Sequence, residues 1–134
     1  MGKEILLSPI TTKYWMLMDD YEIFNYTVPN GFITDFASIP RLLWFWLPPW
    51  GNYGRASILH DYLYCSGKVS RIEADKTMLH VMEKDDVGYL RRNIIYNFIR
   101  MFGWKAYLKS KKMRKKYGVC KKIYLKVDGD FFEN

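Results

Sequence analysis

Two helical patterns joined by a very short link constrain the fold of this chain more than any other feature of its sequence. The first pattern covers about residues 55–65 and ends at Ser66-Gly67, a common way to end a helix. The second begins at Ser70, and Glu73 three residues later completes the capping-box signature of a helix start. It continues to about Lys84. Helices joined by so short a link pack antiparallel, so we expect a helical hairpin here.

The hairpin carries polar residues that could do chemistry in an apolar setting. His60 and Tyr64 are four residues apart and therefore share one face of the first helix. Asp75 lies in register with apolar residues of the second helix, which predicts a buried carboxylate that needs a partner. A His–Asp pair is a usual way to hold an imidazole as a general base. We therefore expect His60 and Asp75 within hydrogen-bond reach, with Asp35 or Arg41 in the same cleft.

The same residues also fit a purely structural role, because a histidine beside a tyrosine on a helix is more often a hydrogen-bonded core residue than a catalyst. The concentration of polar residues in one stretch of the chain favours a functional role over a structural one. Within about forty residues the chain places, among aromatic side chains, Asp35, Ser38, Arg41, His60, Asp61, Tyr64 and Asp75. This stretch predicts a functional site and leaves open whether the site is catalytic or only binds a ligand.

A loop rich in aromatic residues, proline and glycine leads into the first helix of the hairpin. Pro40 can begin a short helix over residues 40–47, capped by Ser38 or Ile39. Its apolar residues either fill the core or form an aromatic wall. The loop that follows contains Trp50 and Tyr53, and its backbone could offer carbonyls to a cation or amides to an anion. We expect Asp35, Ser38, Arg41, Trp50 and Tyr53 to line a ligand site.

The remaining segments complete an α+β fold in a single domain, residues 1–134. Residues 4–7, 13–18, 22–28 and 32–34 predict strands, with a hairpin between the runs 13–18 and 22–28. Residues 123–127 predict a last strand that returns to this small antiparallel sheet. A third main helix, which Gly103 could interrupt, is predicted from a helical repeat of apolar residues: Val87, Leu90, Ile94, Phe98 and Met101.

Charge is concentrated in the last third of the chain. Residues 91–134 carry 13 Lys and Arg against 3 Asp and Glu, whereas residues 1–90 carry 8 against 11, so the net charge of +7 arises from +10 and −3. A basic helical extension over about residues 105–122 accounts for most of it. Such a surface suits nucleic acid, acidic lipid headgroups or an acidic host protein, or it keeps the protein soluble.

Cysteine usage and hydropathy limit the location of the protein. Cys65 and Cys120 match no zinc spacing, and we interpret them as reduced thiols of a cytoplasmic protein, although a disulfide between them stays open. The longest apolar run, residues 42–50, is interrupted by Pro48 and Pro49. We therefore expect neither a transmembrane segment nor a secretion signal.

Three segments in one order carry a resemblance to a known family. Residues 28–41 (VPNGFITDFASIPR), 47–51 (LPPWG) and 56–64 (ASILHDYLY) resemble a family of small, uncharacterised phage and prophage proteins classed as a domain of unknown function. The resemblance covers roughly residues 20–105. It implies a viral protein acting in the cytoplasm of an infected bacterium, and it implies no particular biochemical activity.

A shorter resemblance concerns chemistry. His60-Asp61-Tyr62-Leu63-Tyr64, with Asp75 on the next helix, is similar to the His-Asp-x-x-Tyr helix and later Asp of calcium-dependent phospholipases of the A-two class. It implies that His60 activates water, that Asp75 orients His60, that Tyr64 bonds to Asp75, and that Asp61 binds calcium with loop carbonyls. The glycine-rich calcium loop and the disulfides of those enzymes are not recognisable here.

Three functions remain open from the sequence. The first is a hydrolase that uses His60 and Asp75 on an ester or phosphodiester, with calcium as the one cofactor considered. The second is a viral anti-defence protein that binds an anionic small ligand, such as a nucleotide signal, or a host protein. Its contacts would be Arg41, the aromatic wall and the basic helix. The third is a structural protein of the virion.

Overall fold

The computed structural model describes residues 6–10, 14–34, 52–118 and Cys120, and the structural statements that follow concern those residues. Several predictions fall outside them and receive no structural account. These are the helix at residues 40–47, the strand at residues 123–127, and the proposed site residues Asp35, Ser38, Arg41 and Trp50.

Five short strands form the β part of the described chain. They are β1 (Leu7–Pro9), β2 (Trp15–Leu17), β3 (Tyr21–Ile23), β4 (Tyr26–Val28) and β5 (Ile33–Thr34). β2 pairs antiparallel with β1 on one side and with β5 on the other, while β3 and β4 form a separate antiparallel hairpin. With the helices that follow, these small antiparallel sheets confirm the predicted α+β fold.

The predicted hairpin between the runs 13–18 and 22–28 is wrong. The second run folds back on itself instead, with Ile23 opposite Tyr26 and a two-residue turn at Phe24-Asn25. Phe24 takes a positive φ of 57° there, a conformation that hairpin rules assign to glycine or asparagine. Its ring meets His80 edge-on at 5.1 Å between centroids. The turn was missed because an aromatic residue occupies the position where turn residues are expected.

Four helices follow the strands: α1 (Gly54–Ser66), α2 (Arg71–Lys84), α3 (Tyr89–Phe102) and α4 (Trp104–Tyr117). The boundaries predicted for the hairpin α1–α2 are confirmed. Gly67 takes the left-handed conformation at the end of α1, and its N–H bonds to the Leu63 carbonyl at 3.1 Å. Ser70 caps α2, since its Oγ accepts the Glu73 N–H at 3.3 Å.

The predicted third helix is divided at Gly103 into α3 and α4, so the described chain has four main helices instead of three. The predicted apolar face of α3 is also wrong in part. Ile95 and Ile99 are buried, whereas Leu90 is 72% and Met101 65% exposed. Apolar residues occur on opposite sides of this helix, so periodicity alone could not decide which side packs against α2.

The core lies between the strands and the hairpin α1–α2. α1 contacts β3, β4 and β5 on one side and packs against α2 and α4 on others, so most of its length is buried. Fully buried side chains come from β2 to β5, α1 and α2: Leu17, Ile23, Val28, Ile33, Leu59, Leu63, Met78 and Met82. A polar residue on α1 is therefore held in an apolar setting, as the sequence predicts.

Helix α4 is fastened to the end of α1 in two ways. Arg114 Nη1 donates to the carbonyls of Tyr64 at 2.8 Å and Cys65 at 2.6 Å. Cys65 and Cys120 form a disulfide across a Cα–Cα distance of 5.2 Å. The interpretation of these cysteines as reduced thiols is therefore wrong, since the return of the chain after α4 brings Cys120 to α1.

No helix of the described residues combines the length and the apolar character that a membrane crossing needs.

Candidate functional site

His60, Tyr64 and Asp75 meet inside the helical hairpin. His60 Nε2 lies 2.7 Å from Asp75 Oδ1, and the Tyr64 hydroxyl donates to the same oxygen at 2.5 Å. All three residues are buried, with exposed fractions of 4%, 4% and 1%. The antiparallel packing of α1 on α2 places the His60 turn beside the Asp75 turn. The predicted His60–Asp75 contact and the burial of Asp75 are confirmed.

Arg100, on the last turn of α3, is a third partner of Asp75 that the sequence did not reveal. Its Nη1 donates to Asp75 Oδ2 at 2.5 Å, and its side chain is 29% exposed. Since α3 follows α2 through a short connection and packs against it, its last turn returns to the first turn of α2. That geometry could have indicated Arg100, but its position in the basic third of the chain suggested a solvated charge.

Arg71 supports the same corner from α2. Its Nη2 donates to the carbonyls of Ile99 and Arg100 in the last turn of α3, where the Ile99 carbonyl also accepts the Gly103 N–H at 2.7 Å. Its Nε lies 4.0 Å from Asp75 Oδ2. The guanidinium therefore holds the end of α3 against α2 and so fixes Arg100 beside the carboxylate.

The charge of Asp75 is stabilised by its neighbours. Burial alone would raise the pKa of Asp75, but the hydrogen bonds from His60 and Tyr64, together with the contact to Arg100, outweigh it and hold the pKa below its ordinary value. Burial and the bond to Asp75 raise the pKa of Tyr64. The contact with Asp75 raises the pKa of Arg100. Asp75 is thus an ionised carboxylate inside the protein.

The ionised carboxylate decides which tautomer His60 adopts. A carboxylate can only accept hydrogen bonds, so the His60 atom that meets it, Nε2, must carry a proton. In the neutral ring the other nitrogen, Nδ1, then has a free lone pair and can accept a proton. The arrangement can therefore act as a general base, with Asp75 holding the ring and Nδ1 as the reactive atom.

Gly103 is a second residue that the sequence did not single out for the site. A Cβ at this position would lie 2.5 Å from the Ile99 carbonyl oxygen and 2.8 Å from the Tyr64 hydroxyl. The break between α3 and α4 therefore lets the backbone approach Tyr64 closely. The Tyr64 ring also lies 4.1 Å from the His60 ring and 5.2 Å from the Tyr107 ring, centroid to centroid, so its position is determined on several sides.

Ser57 precedes His60 by one turn on α1. It has no exposed surface, and among the residues that the structure describes its Oγ has no hydrogen-bond partner. Residues three apart on a helix share one face, so Ser57 lies on the same side of α1 as His60. A buried hydroxyl without a partner is unusual and costs stability. Ser57 is thus a further polar group beside the base.

Tyr53 was predicted to line a ligand site, and the structure places it just before α1 with no exposed surface. Burial raises its pKa to about 12, although Arg91 lowers it in part. In this conformation Tyr53 belongs to the core and not to an open aromatic wall.

Asp61 was predicted to bind calcium, and the structure shows it half-buried on α1. No group of three or more His, Cys, Asp and Glu side chains in the described ranges is arranged to hold a metal ion. The carbonyl of Tyr53, at the end of the loop expected to supply ligands, accepts the Ser57 N–H at 2.9 Å as part of the helix. Among the described residues, Asp61 therefore has no cluster of further metal-ligating side chains around it, and its role in calcium binding stays a prediction.

Comparison with known proteins identifies the family of the chain without supplying a function. No curated protein and no solved structure matches it. One family profile, described as "Protein of unknown function (DUF1353)", matches residues 12–99. These residues include β2 to β5, the hairpin α1–α2 and most of α3, and hence His60, Tyr64 and Asp75. The chain therefore belongs to the DUF1353 family.

Proposed function

We propose that the protein is a hydrolase in which His60 activates water for attack on an ester or phosphodiester. The observation that carries the proposal is the contact of His60 Nε2 with the buried, ionised Asp75 at 2.7 Å. It leaves Nδ1 as a base inside a mostly apolar core. The same Asp75 oxygen accepts the Tyr64 hydroxyl, as the resemblance to phospholipases of the A-two class implies.

The proposed chemistry uses few groups. His60 Nδ1 takes a proton from a water molecule as the water oxygen attacks the carbonyl carbon or the phosphorus. The imidazolium formed is stabilised by Asp75, and it returns the proton to the leaving alkoxide. Tyr64 and Arg100 do not react. They hold the carboxylate so that it keeps its charge and its orientation.

A catalytic base and a structural histidine can have the same geometry, but only the catalytic base accelerates a reaction. General bases of this kind contribute about 10²- to 10⁴-fold to turnover. A histidine that merely fills a polar gap in the core contributes to stability alone. The two roles therefore differ in what a substitution of His60 changes.

The biological setting of the proposal comes from the resemblance to phage proteins. We propose that the protein acts within an infected bacterium. Reduced cysteines are a reason to expect a cytoplasmic protein. The Cys65–Cys120 disulfide removes that reason, because disulfides persist mainly in oxidising compartments. The cytoplasmic location remains a prediction. The alternative of an anti-defence nucleotide binder rests on Arg41 and Trp50, which lie outside the described residues.

The test is a turnover assay with a matched histidine control. Purified protein is incubated with phosphatidylglycerol vesicles and, separately, with a panel of cyclic dinucleotides, with and without a calcium chelator. We expect turnover of one class. His60→Gln should lower kcat by about 10² to 10⁴ with little change in KM. Gln can still donate an N–H to Asp75, so the fold should persist.

His80→Gln is the control, since His80 is exposed and is the only other histidine in the chain. It should leave kcat unchanged. No turnover of either class, or equal kcat in His60→Gln and the wild type, would refute the hydrolase. Measurable nucleotide binding that survives His60→Gln, without turnover, would instead favour the anti-defence binder.

A further inference from the structure

The exposed sides of α3 and α4 carry large apolar side chains in helical stripes. On α3, Leu90 is 72%, Ile94 38% and Met101 65% exposed. Their spacing of four and then seven residues places them on one face, away from the buried Ile95 and Ile99. On α4, Trp104 is 47% and Leu108 44% exposed and again four residues apart. We name these five residues and the charges around them the α3–α4 surface.

The charges of the α3–α4 surface all have one sign. Residues 89–117 contain ten Lys and Arg and no Asp or Glu. Eight of the ten lie on or beside the exposed sides of the helices: Arg91, Arg92, Lys105, Lys109, Lys111, Lys112, Lys115 and Lys116. Lys111 and Lys115 continue the stripe of Trp104 and Leu108 at i+7 and i+11. A partner of this surface must therefore be both negatively charged and able to accept apolar side chains.

Cations also accompany the exposed aromatic rings. Lys105 Nζ lies 5.6 Å from the centre of the Trp104 ring, and Lys116 Nζ lies 5.2 Å from that of Tyr117. Arg92 lies 5.2 Å from the Tyr89 ring, which is 74% exposed. Aromatic rings beside Lys and Arg are typical of protein segments that lie at the headgroup level of a bilayer.

A nucleic acid fits this surface less well than a bilayer does. Phosphates would pair with the lysines and bases could stack on Trp104, but the aliphatic stripe of Leu90, Ile94 and Met101 would gain little. The boundary between headgroups and acyl chains accepts such side chains, while anionic headgroups attract the lysines. A bilayer would therefore contact both the apolar stripes and the lysines of the surface.

We propose that the α3–α4 surface docks the protein on a lipid bilayer that contains anionic headgroups. α3 and α4 lie on the bilayer plane, their stripes enter the acyl boundary, and the lysines remain among the headgroups. This association does not depend on the proposed hydrolase chemistry. Its test uses binding alone, so the two proposals can fail separately.

The experiment measures co-sedimentation of the full chain with vesicles made of equal parts phosphatidylglycerol and phosphatidylcholine. We expect binding to these vesicles and much weaker binding to pure phosphatidylcholine. Leu90→Ser and Leu108→Ser should each weaken binding by roughly tenfold, since each removes a leucine from the acyl boundary. Ile72→Ser is the matched control, because Ile72 on α2 is also 44% exposed but lies outside the surface.

Two further arms separate the contribution of charge. Joint replacement of Lys111, Lys112, Lys115 and Lys116 by Gln should weaken binding most at low salt, because screening reduces the attraction to headgroups. A duplex DNA at the same salt is the competing probe. The proposal is overturned if no vesicle binding occurs, or if Leu90→Ser and Leu108→Ser bind like Ile72→Ser. It is equally overturned if DNA displaces the vesicles and binds both leucine variants at wild-type strength. Circular dichroism verifies that each variant remains folded.

Discussion

Replacement of Asp75 by Asn should reveal how strongly the buried site contributes to stability. Asn keeps the shape of the side chain and one oxygen that can accept from His60 and Tyr64, but it removes the charge. The loss of charge weakens each of those two buried bonds by about 1 kcal/mol. In the variant, the Asn amide N–H₂ faces Arg100 Nη1. Two hydrogen-bond donors then oppose each other where the wild type has a hydrogen bond of 2.5 Å. Because Arg100 can turn to solvent, this costs only about 1 kcal/mol more.

The expected loss in the free energy of unfolding is therefore about 2–4 kcal/mol, measured by urea denaturation with circular dichroism. In a melting experiment it corresponds to a shift of roughly 7–14 °C for a chain of this size. Asp85→Asn is the matched control. Asp85 also pairs with an arginine, Arg55 at 3.0 Å, but their side chains are 20% and 38% exposed. That pair should be worth about 0–1 kcal/mol.

The pH dependence gives the same prediction a second check. The folded state lowers the pKa of Asp75, so the ionised carboxylate stabilises the fold above the unfolded-state pKa of about 4. This contribution is lost as the pH falls through the folded-state pKa, and the gap between wild type and Asp75→Asn should close there. A loss for Asp75→Asn no greater than that for Asp85→Asn at neutral pH would refute the buried charge network.

Three further substitutions test the elements that hold the site. Ser70→Ala removes the cap of α2 and should lower the free energy of unfolding by about 1 kcal/mol in urea denaturation, whereas an unchanged value would contradict the capping role. Gly103→Ala places a methyl group against the Tyr64 hydroxyl and should cost about 1–2 kcal/mol; a stabilised variant would show that the close approach is not required. Reduction of the Cys65–Cys120 bond, which spans 55 residues, should cost about 4 kcal/mol in thermal melts with and without reductant, and two free thiols in the denatured, unreduced protein would disprove the disulfide.

The centre of the fold could be predicted because its signals are local. Ser70 and Glu73 mark the start of α2, Ser66-Gly67 marks the end of α1, and a short link admits only antiparallel packing. These boundaries determine that the His60 turn of α1 lies beside the Asp75 turn of α2. The predicted pair could therefore be placed correctly before any tertiary contact was known.

The rest depends on tertiary contacts that no local pattern encodes. Arg100 is a partner of Asp75 only because α3 returns along α2, and in sequence it looks like any other residue of a basic region. Leu90 and Met101 fit the helical repeat as well as Ile95 and Ile99 do, so the buried side of α3 is decided by packing. At Phe24 a turn forms where sequence rules expect a strand, and the contact of its ring with His80 accompanies that departure.

The most direct test of the account is the protonation of the two ring nitrogens of His60, measured by nitrogen NMR. The His80→Gln variant leaves His60 as the only histidine, so both ring signals belong to His60, and their couplings to the two ring C–H protons distinguish Nδ1 from Nε2. At a pH where the ring is neutral, we predict a protonated Nε2 and an unprotonated Nδ1, with the Nε2 signal altered in the double variant that also carries Asp75→Asn. A neutral ring with its proton on Nδ1, or a ring unaffected by Asp75→Asn, would contradict the claim that Asp75 holds His60 as a base.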